Sequence, residues 1–181
     1  MKAPKAITHQ ARLNCGLELL SPFLEQISFL GDKLGPVLFQ LPPSFAFDGA
    51  TARKFLSLLR ENYSGDVVWE PRHSTWFDDR SDPLLHEFSI ARVAADPACV
   101  PAAALPGGFA GVAYFRLHGS PRLYYSEYTE EFLKSLAARL LDLAAQTQVW
   151  CIFDNTAAGF AIQNALELNI KVENVAGAAS R

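Results

Sequence analysis

Short apolar runs and helix-period stretches take turns along this chain. Pro36–Leu41 (P-V-L-F-Q-L) is an apolar run closed by Pro42 and Pro43, which cannot continue a hydrogen-bonded ladder. Thr51–Glu61 places Phe55, Leu58 and Leu59 on one helical face, with Asp48 or Thr51 positioned to cap it. Asp66–Glu70 reads as the next strand, Pro83–Phe88 as a short helix and Ile90–Asp96 as strand again. The Pro/Ala/Gly-rich stretch Pro97–Gly108 reads as a loop. Gly111–His118 is a strand, and Thr129–Ala145 is a helix with Phe132, Leu136, Leu140 and Leu143 along one stripe. Gln148–Asp154 is the last strand and Ala157–Leu168 the last helix, with a tail expected to fray beyond about Val172. This alternation predicts βαβ units and a mostly parallel sheet, as an open doubly wound sheet or a closed (β/α) barrel. No G-x-G-x-x-G or G-x-x-x-x-G-K-[ST] follows any strand, which counts against a dinucleotide or P-loop site.

Side chains alternate across a strand, so the polar ones can be sorted by face. On Gly111–His118, Ala113, Phe115 and Leu117 share one side, and Tyr114, Arg116 and His118 the other. The first set suits packing under helices. The second contains a guanidinium that is costly to bury without partners. Other strands end in the same way. Gln40 lies with Leu38, Glu70 with Val68, Asp96 with Ala94 and Arg92, and Asp154 with Trp150 and Ile152. In a barrel such residues gather at the C-terminal rim, where catalytic groups sit. Glu70, Arg72, His73, Asp96, Arg116, His118 and Asp154 are therefore the candidate chemistry, with Gln40 a candidate ligand contact. Asn155 and Thr156 follow Asp154 at a strand-to-helix turn. Backbone N–H groups at a helix start attract anions, so this turn, near Arg116, is a candidate phosphate site.

Composition narrows the classes. Half of the 181 residues are hydrophobic, 19% are charged and the formal net charge is −3. That is a globular balance with no strong pull toward nucleic acid or anionic membrane. No apolar run approaches the roughly 18–20 residues that span a bilayer. Cys15, Cys99 and Cys151 are isolated from one another and read as reduced thiols of a cytoplasmic protein.

Five ordered stretches also resemble one family. They are K-A-P-K-A-I-T-H (2–9), L-G-P-V-L-F-Q-L-P-P-S-F (34–45), W-E-P-R-H-S-T-W-F (69–77), Y-F-R-L-H-G (114–119) and F-D-N-T-A-A-G-F-A-I-Q-N-A (153–165). Together they resemble the domain-of-unknown-function family 72, or YecE-like family. The resemblance implies a single domain with a TIM-type (β/α) barrel, and it brings no established reaction. It also implies a barrel incomplete at its N-terminal side, because family members carry a further segment ahead of the K-A-P stretch. The first two to three strands, of roughly eight in a complete barrel, are then absent. Such a barrel would expose a sheet edge, through which homo-oligomers could form.

The functional expectation is an enzyme, a hydrolase acting on a phosphate-bearing or otherwise anionic small molecule. His118 or His73 would be general acid/base. Arg116 and Arg72 would bind the anion together with Gln40, Asp154 and Asn155. Glu70, Asp96 and Asp154 would orient the histidines or hold a divalent metal, although no H-x-x-x-H spacing supports one. The alternatives are a non-catalytic nucleotide or nucleic-acid binder, with Tyr124, Tyr125 and Tyr128 as a lid or stacking platform, and an inactive truncated fragment.

Overall fold

The computed structural model describes residues 1–179. In chain order its strands are β1 (Val37–Gln40), β2 (Val67–Glu70), β3 (Ile90–Arg92), β4 (Ala94–Asp96), β5 (Gly107–Gly108), β6 (Val112–Leu117) and β7 (Gln148–Phe153). Its α-helices are α1 (Leu17–Ser28), α2 (Gly49–Asn62), α3 (Ser81–Glu87), α4 (Glu130–Ala144) and α5 (Phe160–Ala179). The residues form two units, Met1–Val93 with Pro106–Ala110, and Ala94–Leu105 with Gly111–Arg181. Each is an α/β assembly built on parallel strand pairs, which agrees with the alternation read along the chain.

In the first unit the sheet order is β1-β2-β3-β5, with β1, β2 and β3 parallel. Register pairs Phe39 with Trp69, and their rings stack 5.7 Å apart. Phe55 of α2 meets Phe39 edge-on, and Trp76 packs on Trp69, so strand and helix faces close one apolar core. Asp48 caps α2 by accepting from Thr51 N at 3.0 Å, as the sequence suggests. Helix α1 was not expected, because Pro22 lies inside it. Burial of Leu20, Phe23 and Ile27 on one face outweighs that local penalty.

The stretch 90–96 is two strands rather than one, interrupted at Val93. The stretch 97–108, expected as loop, carries the 3₁₀ turn Pro101–Ala104 and the short antiparallel strand β5 on β3. Glycine is required in β5. A Cβ on Gly107 would collide with the Arg92 guanidinium, and Gly108 has φ +63°.

In the second unit β4, β6 and β7 are parallel in the order β4-β6-β7. Ala113, Phe115 and Leu117 pack against Leu133, Leu136, Ala137 and Leu140 of α4. The face of β6 assigned to helix packing is therefore correct. Thr129 caps α4 through Phe132 N, and acidic Glu130 and Glu131 fill its first turn. Helix α5 starts later than expected, after a turn in which Gly159 takes φ +84°. It then continues through Ala179, so the tail expected to fray past Val172 is helical, and Val172 itself packs on the core. Ile162, Leu166 and Ile170 stand exposed along this helix. No described helix is long and apolar enough to cross a membrane.

Candidate functional site

The second unit gathers charged groups where β6 and β7 end. Parallel register pairs Arg116 with Ile152 and Leu117 with Phe153, so Arg116, His118 and Asp154 fall on the same side of the sheet. One carboxylate oxygen joins them. Asp154 Oδ2 accepts from Arg116 Nη2 at 2.6 Å and lies 3.0 Å from His118 Nδ1. Arg116 and His118 are buried, whereas the Asp154 side chain is 34% exposed. The backbone sets this geometry, because Asp154 N donates to Leu117 O at 2.7 Å and locks the two strand ends in register. A carboxylate this near to Nδ1 favours the Nδ1–H tautomer of a neutral imidazole, with the basic lone pair at Nε2, although the ring is not aligned for a hydrogen bond to Asp154.

The loop after His118 returns over this group. Tyr124 N donates to His118 O at 2.6 Å, and Tyr124 takes φ +68°. The Tyr124 ring meets the imidazole edge-on, with centroids 5.9 Å apart. Ala157 N donates to Tyr124 O, which ties the loop to the turn before α5. Tyr124 and Tyr125 are exposed, and the Arg122 guanidinium stacks 4.1 Å from the Tyr125 ring. Tyr128 is different: it is buried and does not belong to an exposed aromatic platform.

Asp96 follows another route. Register aligns it with Leu117, on the side packed by α4, and its Oδ2 accepts from Tyr128 Oη at 2.7 Å. It is not on the face of Arg116 and His118. Burial, and then the hydrogen bond to Asp96, push the Tyr128 phenol well above its ordinary range, with the Gly119 N–H a weaker opposing influence. Asn155 is fully buried and donates to Ser126 O and to Asn164 Oδ1, at 3.0 and 2.9 Å. Its side chain therefore anchors the loop. Burial also lifts the Cys151 thiol to about 12.

Gln40, Glu70, Arg72 and His73 belong to the first unit. Buried Glu70 forms an ion pair with half-buried Arg72. Gln40 Oε1 accepts from Lys2 Nζ at 3.4 Å. His73 precedes the 3₁₀ turn Ser74–Phe77, and its Nδ1 accepts from Thr75 N at 3.3 Å. Thr75 Oγ1 in turn accepts from Phe47 N at 2.7 Å, while buried Trp76 donates Nε1–H to Phe45 O at 2.9 Å. Among the described residues no group of three or more His, Cys, Asp or Glu is placed to hold a metal ion. Glu70, Asp96 and Asp154 each serve a different partner.

Two residues escaped the sequence reading. Tyr128 as an internal anchor could not be told from its exposed neighbours by residue type. Asn164 carries one faint signal, as an amide on the buried face of a helix, where Asn is a weak former.

The solved structures agree with the fold. A DUF72 family protein of Thermotoga maritima MSB8 is 28% identical, with a TM-score of 0.81 over 95% of this chain and 72% of that one. Two crystal structures of a DUF72 family protein of Enterococcus faecalis V583 are 18% and 21% identical, with TM-scores of 0.67 and 0.66. They match 92% and 87% of this chain, which spans 66% of each of them. No curated protein matches the chain. The model of the family described as protein of unknown function DUF72 matches residues 1–180, and the chain belongs to that family.

Proposed function

We propose that this chain is a hydrolase of phosphate-bearing or otherwise anionic small molecules, with His118 and Asp154 as its acid/base pair. The observation that carries this reading is the single Asp154 oxygen shared by Arg116 and His118. Arg116 supplies fixed positive charge for an anionic substrate. Asp154 orients the imidazole and stabilises the imidazolium. In the step itself a water oxygen bonds to phosphorus as the ester P–O bond breaks. His118 Nε2 takes the water proton and returns it to the departing alkoxide, so protons balance over the cycle. A TIM-type (β/α) barrel is the architecture this reading assumes. Parallel β1-β2-β3 and β4-β6-β7, with α2, α3 and α4 connecting β1 to β2, β2 to β3 and β6 to β7, support it.

The test is hydrolysis of p-nitrophenyl phosphate and bis-p-nitrophenyl phosphate by the full chain. Turnover that falls by about 10²-fold or more in His118→Ala and Asp154→Asn supports the assignment. Turnover that is absent, or unchanged in both variants, overturns it.

A second reading is a non-catalytic nucleotide or single-strand binder. Exposed Tyr124 and Tyr125, with Arg122 stacked on the latter, favour it. Titration with a fluorescent oligonucleotide decides this. Affinity falling steeply with salt, and lost in Tyr124→Ala with Tyr125→Ala, supports binding; no affinity at low salt removes it.

A further inference from the structure

The two strand ends that carry His118 and Asp154 share one buried anchor. His118 N donates to Asp96 O at 2.7 Å. The next amide, Gly119 N, donates to Tyr128 Oη at 2.8 Å, and Tyr128 Oη donates to Asp96 Oδ2 at 2.7 Å. The phenol thus accepts and donates at once, closing a ring around the His118 backbone. On the other side, Tyr128 N donates to Asn164 Oδ1 at 3.2 Å, and the same oxygen accepts from Asn155 Nδ2 at 2.9 Å. Asn155 directly follows Asp154. Tyr128, Asn155 and Asn164 are all buried. Gly119, at φ +90°, has no room for a side chain, since a Cβ would stand 3.0 Å from Ser126 O and 3.2 Å from Asn155 Cβ. Chain and side chain are both over-determined here.

We propose that Tyr128 is a positioning residue for the His118–Asp154 pair, acting through the frame Asp96–Tyr128–Asn164–Asn155. This rests on the acid/base reading of that pair. The frame links these buried polar groups through a run of hydrogen bonds, which rigidifies what it holds. It also gives Asp96 and Asn155 a common purpose: they hold the groups that act and do not themselves touch substrate. Phenylalanine at 128 would keep the packing against Phe132 and Phe153 but could neither accept from Gly119 nor donate to Asp96.

The experiment is ¹⁵N NMR of the histidine side chains in the full chain, comparing Tyr128→Phe with the parent, alongside kcat and KM for p-nitrophenyl phosphate. The parent should show His118 as one Nδ1–H tautomer. Tyr128→Phe should show a tautomer mixture, with kcat lower by about tenfold and KM changed by less than about twofold. If Tyr128→Phe does not fold, Asn164→Ser, which cuts the links from Asn164 to Asn155 and to the Tyr128 backbone while leaving the phenol in place, carries the same readout. An unchanged His118 spectrum in a folded variant overturns the proposal. Absence of turnover in the parent would instead sink the hydrolase reading, while the NMR comparison would still decide whether Tyr128 positions His118.

Discussion

The polar cluster after β2 and the polar cluster after β6 and β7 look alike in sequence and differ in use. After β2, Glu70, Arg72, His73 and Thr75 lie within a few positions, and Glu70 pairs with Arg72 and His73 with Thr75. His73 ties down the turn that delivers Trp76 into the core. After β6 and β7, Arg116, His118 and Asp154 come from distant chain positions and converge on one carboxylate oxygen, with a buried frame behind them. A dense run of polar residues can satisfy itself through its own loop. Groups brought together from separate strands need the tertiary structure to hold them, and that is the costlier arrangement.

The sharpest way to break this comparison is activity. His118→Ala should lower phosphoester hydrolysis by about 10²-fold more than His73→Ala does. Steady-state kinetics on the two variants checks it, and equal losses would erase the distinction.

Stability should show the reverse emphasis. Trp76→Ala removes a fully buried indole that packs on Phe45, Phe47 and Trp69. It should cost about 3–5 kcal/mol in urea unfolding. A cost under about 1 kcal/mol would mean that the W-E-P-R-H-S-T-W-F segment is not anchored as described.

Alkaline pH tests the frame. The Tyr128 phenol titrates higher in the folded chain than the ordinary value of 10.0. A raised folded value stabilises fully below the unfolded value, and that contribution is lost as pH climbs above it. Cys151, raised from 9.0 to about 12, acts with the same sign. Thermal melts from pH 8 upward should fall more steeply for the parent than for Tyr128→Phe. Parallel curves would remove Tyr128 as a source of that slope.

The smallest expected effect is at a helix start. Thr129→Ala deletes the α4 cap and should cost about 1 kcal/mol, read as a lower urea midpoint. A loss several times larger would tie Thr129 to the neighbouring Tyr128 anchor rather than to capping alone.

Much of this was legible before any coordinates. The period-2 and helix-period patterns located β1, β2, β6, β7, α2 and α4, and face alternation on β6 separated Phe115 from Arg116. Where local signals conflicted with packing the reading failed. Pro22 masked α1, and Val93 gave no sign of the break between β3 and β4. The same limit applied to the candidate site. Asp96 was read as closing a single strand 90–96 with Ala94 and Arg92 on its face; Ala94 shares its strand, whereas Arg92 belongs to β3. That its face is the one packed by α4, and its partner Tyr128, depended on the register of β4 against β6.

By itself the sequence determined the alternation of strands and helices, the family and the polar residue that closes each strand, because these follow from local periodicity and from motifs read in order. Only the tertiary structure decided which charges meet. Arg116 and His118 sit 38 and 36 positions from Asp154, and nothing local brings them to it. Their meeting depends on the register of two parallel strands and on the burial that makes an unpaired charge too costly to leave.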